Sequence, residues 1–175
     1  MFLTESKATS KFVTVVNQRT IQIIILCLIS MVLCQAMKVV FFSIKNKKLE
    51  WRPFFSTGGF PSSHTSTCVT LTVSLFLFQM HDLNGMVDWS FAVALIASMI
   101  IIHDAMGVRY EASKHAKILN HITSDIPDDQ KKLIGFGKKL QLKEMLGHKG
   151  VEVFGGFIVG VIVAVMGFLL LVNII

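Results

Sequence analysis

Four apolar stretches dominate the chain, at residues 21–44, 64–80, 89–106 and 151–175. Each approaches or exceeds the ~20 residues that a helix needs to cross the hydrocarbon core of a bilayer. Hydrophobic residues make up 53% of the 175 and charged residues only 16%, well under the quarter usual for a soluble domain. The mean hydropathy is +0.63. These observations define an integral membrane protein: an all-α, polytopic helix bundle with about four transmembrane helices. The second stretch is short and rich in hydroxyl residues, so its backbone is expected to be sheltered by the other three. The first is too long for a cleaved signal peptide, runs directly into KVVFFSIKNKK and is followed by no small-residue cleavage site.

Residues 1–20 read as an N-terminal tail and 21–175 as a single membrane-embedded domain, with no internal repeat or low-complexity run. Cys27, Cys34 and Cys68 all fall inside apolar stretches, where thiols act as small apolar side chains. Neither a Cys-x-x-Cys pair nor a Cys/His cluster is present, so no disulfide framework or zinc site is implied. The formal charge is +6, but the basic residues sit beside the apolar stretches and aromatics are not interleaved with them. A membrane surface or an anionic headgroup is therefore the expected partner, and nucleic acid is not.

Charge also orients the chain. The segments 45–62 and 107–150 together hold thirteen Lys and Arg residues, against Lys7, Lys11 and Arg19 on the opposite side. Setting aside Lys45, Arg52 and Arg109 as candidates for a catalytic role still leaves ten against three. By the positive-inside rule both long loops are cytoplasmic in a multi-pass cell-membrane protein. The 107–150 insertion reads as helical: Ala112, Ala116, Leu119 and Ile122 recur at helical spacing with Lys114 and Lys117 between them, the pattern of an amphipathic helix on the headgroups. A second helix is expected to start at the IPDD turn at Ile126 and to end near Met145, making the pair a lid or docking surface.

The most polar turn in the chain is GGFPSSHTS, residues 58–66. Its serines fit a helix N-cap, and a glycine-rich turn before a helix start also fits a phosphate site; these residues alone favour the cap. Ser63, Thr67, Thr70 and Ser74 continue from it along one helical face, a common arrangement for hydrogen bonds between membrane helices. His103, Asp104 and Arg109 end the third stretch, while His148 and Glu152, four apart and so on one face, open the fourth. Singly, each has a structural reading as a snorkelling group, a headgroup contact or a complement to a helix end. Together, Lys45, Arg52, His64, Asp104, Arg109, His148 and Glu152 all fall at the same ends of their helices.

These residues resemble the type-2 phosphatidic acid phosphatases and their vanadium haloperoxidase relatives. Lys45-NKKLEW-Arg52-Pro53 is similar to the family's Lys-x6-Arg-Pro motif, and Pro61-Ser62-Ser63-His64 to Pro-Ser-Gly-His with Ser63 in place of Gly. The third motif, Ser-Arg-x5-His-x3-Asp, is present in pieces: Arg109 in HDAMGVRYEASKHAKILN, then an insertion, then His148-Lys149-Gly150-Val151-Glu152 with Glu for Asp. The whole looks like the divergent branch of that family, with its GGxPSSH turn, D-A-x-G-V-R run and late L-G-H-x3-E, over residues 21–175.

The resemblance implies a metal-independent lipid phosphatase without cofactor, acting on a lipid phosphate monoester or diphosphate. Lys45, Arg52 and Arg109, with Ser62, Ser63 and the backbone amides of the turn, would hold the phosphate. His148 would be the nucleophile, Glu152 or Asp104 would orient it, and His64 would protonate the leaving group. A module that binds or transports phosphate-headgroup lipids without turnover is the alternative. A metal site from His64, Asp104, His148 and Glu152 ranks last, for want of short ligand spacing. Gly156-x3-Gly160 permits close helix packing within one chain or between two, which leaves a homo-oligomer open.

Overall fold

The computed structural model describes residues 2–56, 58–124, 126, 127, 142 and 147–174, with the backbone alone at 2–12 and at Arg52. Its elements are α1 (Phe2–Asn46), a 3-10 turn (Arg52–Phe55), α2 (Ser63–Asp82), α3 (Trp89–Met106), α4 (Val108–Ser124), α5 (Gly150–Leu171) and a closing 3-10 turn (Val172–Ile174). No strand occurs among the described residues. The chain is an all-α membrane bundle.

Helix α1 runs unbroken for 45 residues because residues 2–46 contain neither Gly nor Pro. The tail expected at 1–20 is therefore helical from Phe2 onward. Lys47 stops α1 by adopting φ 52°, and the amides of Lys47 and Lys48 bond back to the carbonyls of Ile44 and Ser43 at 3.4 and 3.3 Å, capping the end. The Asn84-Gly85 turn, both residues at positive φ, reverses the chain after α2. Asp88 then caps α3, its carboxylate accepting from Ser90 N at 2.8 Å.

Helices α1, α2, α3 and α5 alternate in direction, and α2 packs against each of the other three. The segments Val13–Asn46, Trp89–Ser124 and Gly150–Ile174 are long and apolar enough to cross a membrane. Their outer faces expose Ile24, Leu28 and Val32, Val93, Ile96 and Ile100, and Phe157, Ile162 and Leu169, the surface a bilayer covers. The more polar α2 lies in their midst, as its hydroxyls require. Thr70 Oγ1 donates to Ser30 Oγ at 2.9 Å and to the Gly160 carbonyl at 3.2 Å, Ser30 pairs with Ser66, and Thr72 pairs with Ser98 at 3.0 Å. These bonds tie α2 to α1, α5 and α3 in turn. Of the expected stripe, Ser63, Thr70 and Ser74 are buried, whereas the Thr67 hydroxyl donates to its own helix at the Ser63 carbonyl, 2.9 Å away.

Helix α5 approaches α2 through glycine. A Cβ on Gly160 would lie 2.7 Å from the Ser66 carbonyl oxygen and 2.8 Å from Val69 Cβ, and one on Gly156 would overlap the Ser62 carbonyl. The Gly-x3-Gly pair thus seats α5 on α2 within one chain. At the far end, Arg19 donates from Nε to Asp82 at 2.7 Å and from its two terminal nitrogens to the carbonyls of Leu171 and Val172, each at 3.0 Å. One residue of α1 thereby clamps the ends of α2 and α5.

Beyond Gly107, α4 carries Ala116 inward and exposes Ile118, Leu119 and Ile122, while Lys114 pairs with Glu111 at 2.7 Å. The side chain of Asn120 both donates to and accepts from the Leu142 backbone at 2.9 Å, anchoring the returning chain. The helix expected from Ile126 to near Met145 falls almost entirely on residues outside those described.

Candidate active site

The start of α2 at Ser62, the α3–α4 junction and residues 147–149 before α5 meet at one end of the bundle. There the PSSH turn starts α2 with Ser62 as N-cap: its Oγ accepts from Thr65 N at 3.3 Å and from Thr65 Oγ1 at 3.0 Å. The cap reading of Ser62 is thus realised. A helix start leaves its first amides, here those of Ser63 and His64, without intrahelical acceptors. Ser63 Oγ instead faces Lys38 Nζ at 3.4 Å, and Lys38 also donates to the Ser56 carbonyl at 3.4 Å.

The other half of the site opens α5. Gly147, at φ 74°, lies against the backbone of Arg109 and Tyr110 so closely that a Cβ would overlap Tyr110 N. Only glycine satisfies both the backbone angle and this approach. The next residue, His148, is held by its amide on the Ala105 carbonyl at 2.9 Å and by its Nδ1 on Glu152 Oε2 at 3.0 Å. Glu152 Oε2 also accepts from Lys149 N at 3.4 Å, and the Glu152 carbonyl accepts from Ser62 N at 2.9 Å. The start of α5 and the start of α2 are thereby joined.

Across this junction the rings of His64 and His148 face each other, with centroids 5.8 Å apart and planes tilted by 59°. His64 Nδ1 and His148 Nε2 are both buried with no hydrogen-bond partner among the described residues. Such orphaned nitrogens are rare in a folded protein unless something else binds them. Burial pushes the His148 pKa down, the Glu152 hydrogen bond opposes that shift, and the cations Lys38 and Arg109 add to the lowering. The neutral imidazole, donating through Nδ1 to Glu152 and keeping an Nε2 lone pair, is the form this environment favours.

The remaining sequence candidates distribute as follows. Asp104 accepts from Arg109 Nε at 2.6 Å, both side chains partly exposed, so the four residues considered for a metal divide: Glu152 holds His148, Asp104 holds Arg109, and His64 stands across from His148. His103 and Lys45 are exposed, Lys45 in the last turn of α1. Arg52 opens the 3-10 turn, and its side chain lies outside the described residues. The residue that sequence reasoning passed over is Lys38, which is 3% exposed. The signal was available: a lysine flanked by Met37 and Val39 in an apolar span is costly and marks a function.

Fold and site together define an integral membrane bundle with a buried, paired-histidine site at one end. Residues 20–163 match the Divergent PAP2 family, and the chain belongs to it. The matched region includes the PSSH turn, His148 and Glu152. The chain is also 33% identical, over 145 residues, to the uncharacterized membrane protein YuiD of Bacillus subtilis strain 168, covering 79% of this chain and 89% of that protein. No solved structure matches it. Family and fold make this a phosphatase-like membrane protein.

Proposed function

We propose that the protein hydrolyses the terminal phosphate of a lipid phosphate monoester or diphosphate through a phosphohistidine on His148. The observation that carries this reading is the pair of facing histidines, each with a buried nitrogen that has no partner among the described residues, one ring braced by Glu152. His148 Nε2 attacks phosphorus and the bond from phosphorus to the lipid oxygen breaks, with His64 giving that oxygen its proton. Water then attacks the phosphohistidine, His64 takes the proton, and inorganic phosphate leaves with the His148 lone pair restored. The helix start at Ser63, its free amides and Arg109 favour the charge that builds on the equatorial oxygens. Arg109 lies in the first turn of α4, where Gly147 packs on its backbone and Asp104 holds its side chain.

The site lies on the side of the long loops, and their basic excess makes that side cytoplasmic. A phosphate-release screen over lipid phosphates tests the function. Wild type is expected to release phosphate from at least one of them, and His148→Ala to lose both release and the acid-labile phosphate trapped on the protein during turnover. Release that survives His148→Ala overturns the scheme; lipid binding without release from wild type replaces it with a headgroup-binding module.

A further inference from the structure

Lys38 sits in the interior of α1, and its side chain is almost wholly out of solvent. An ammonium inside a membrane bundle is costly and normally faces a counter-ion. Among the described residues no carboxylate lies within ion-pair distance of it. Its two bonds, to the Ser56 carbonyl and to Ser63 Oγ, are each 3.4 Å long, beyond the usual range. Two long bonds to neutral oxygens satisfy their donors only weakly and bring no counter-charge into contact with the ammonium.

The surroundings of Lys38 are suited to an anion. Ser63, its hydroxyl partner, is the first residue of α2, where amides without intrahelical acceptors and the positive helix end converge. Nearby, His148 Nε2 has no partner among the described residues, on a side chain only 1% exposed. The turn closes over the lysine stem at Gly59, whose φ of 100° suits glycine and where a Cβ would lie 3.9 Å from Lys38 Cδ. Lys45, the lysine in the family-like spacing, is seven residues further on, about 10 Å along the helix axis at 1.5 Å per residue, and exposed.

We propose that Lys38, in place of Lys45, is the cation of the phosphate seat: its ammonium and the Ser63 hydroxyl grip oxygens of a phosphate group whose phosphorus faces His148. The phosphate arrives on a lipid headgroup or free. This inference rests on the phosphatase reading above, yet it concerns binding and is testable without turnover.

The experiment follows thermal unfolding of the purified full-length protein in detergent with dioctanoyl phosphatidic acid, with dioctanoylglycerol as phosphate-free control, and with inorganic phosphate. Phosphatidic acid is expected to raise the wild-type melting temperature and dioctanoylglycerol not to; a shift with inorganic phosphate adds the free anion as a ligand of the same seat. Lys38→Met should weaken the phosphate-dependent shift about tenfold or more in ligand concentration, the loss of charge-assisted hydrogen bonds. Its unliganded melting temperature should hold or rise, because a buried charge without a carboxylate in contact is gone. Lys38→Arg should retain part of the shift, and Lys48→Met all of it. A full shift in Lys38→Met, no shift in wild type with either phosphate, or loss of the shift in Lys45→Met instead would each overturn the proposal. Phosphate release is measured in parallel. A Lys38-dependent shift in a protein that releases no phosphate removes the catalytic reading and leaves the seat.

Discussion

The amide of Ser62 donates to the carbonyl of Glu152 at 2.9 Å, while the same glutamate holds His148 Nδ1 through its side chain at 3.0 Å. Glu152 therefore couples two starts of helix. Its backbone fixes where the PSSH turn sits, and its carboxylate fixes how the His148 ring is turned toward His64. Geometry held by backbone on one side and by a carboxylate on the other leaves the facing rings little freedom, as a site that must present one nitrogen to a reacting atom requires.

Replacing the carboxylate separates these two functions. Glu152→Gln keeps the backbone bond to Ser62 but removes the charge that favours the Nδ1–H tautomer, so phosphate release should fall about 100-fold or more with the fold intact. Glu152→Asp, shorter by one methylene, should retain more activity than Glu152→Gln. Rates measured beside circular dichroism check this. Equal activity in Glu152→Gln and wild type would show that the ring needs no anionic partner.

The depressed pKa of His148 has a consequence for stability. Burial makes the folded protein bind this proton more weakly than the unfolded chain does. Below the ordinary histidine value, about 6.5, the unfolded chain takes up a proton that the folded state resists. The contribution of His148 is thus complete above that value and is lost as pH falls toward the lowered folded one. Melting temperatures of wild type and His148→Asn, whose amide still donates to Glu152, should diverge between pH 7 and pH 5. Wild type should show the steeper fall, and parallel curves would contradict the assignment.

How far the sequence announces these features depends on their range. The apolar runs and their lengths announce the helices, because lipid imposes one backbone solution on each. The His148–Glu152 pair is legible from its four-residue spacing, which is one helical turn. Lys38 and Lys45 are seven apart, hence two turns on one face of α1, and spacing cannot say which of them the PSSH turn covers. That choice is made by the packing of Ser56, Gly59 and Ser63 on α1. The Arg19 clamp on Asp82, 63 residues apart in the chain, is likewise a product of how helices meet, and the linear motifs carry no trace of it. The unbroken start of α1 was hidden for another reason: the polar residues before residue 20 resemble a tail, although nothing in them interrupts a helix.

The glycine face of α5 yields a prediction about packing. A methyl group at Gly156 would overlap the Ser62 carbonyl, and one at Gly160 would crowd the Ser66 carbonyl and Val69. Gly156→Ala and Gly160→Ala should each destabilise the protein by about 1–3 kcal/mol through overpacking. Gly156→Ala should in addition reduce phosphate release, because it pushes on the residue that caps α2. Unfolding in detergent, with activity on the surviving folded fraction, measures both. Variants as stable as wild type would mean that α5 seats on α2 less closely than described.

The orientation of the whole molecule is testable through one exposed residue. The described residues that lead out of α3 and into α2 and α5 lie at the same end of the bundle, and by sequence the basic residues of both long segments belong to that side. At the other end Arg19 is neutralised by Asp82 at 2.7 Å, leaving Lys7 and Lys11 as the basic residues of that side by sequence. This sharpens the asymmetry on which the positive-inside rule operates. A cysteine at Pro127, which is exposed, in a background lacking Cys27, Cys34 and Cys68, should resist an impermeant thiol reagent in intact cells and react once they are permeabilised. A cysteine near the Asn84-Gly85 turn should show the opposite pattern. Labelling at 127 in intact cells would turn the bundle over and open its site to the outside, where substrates would have to reach the outer leaflet.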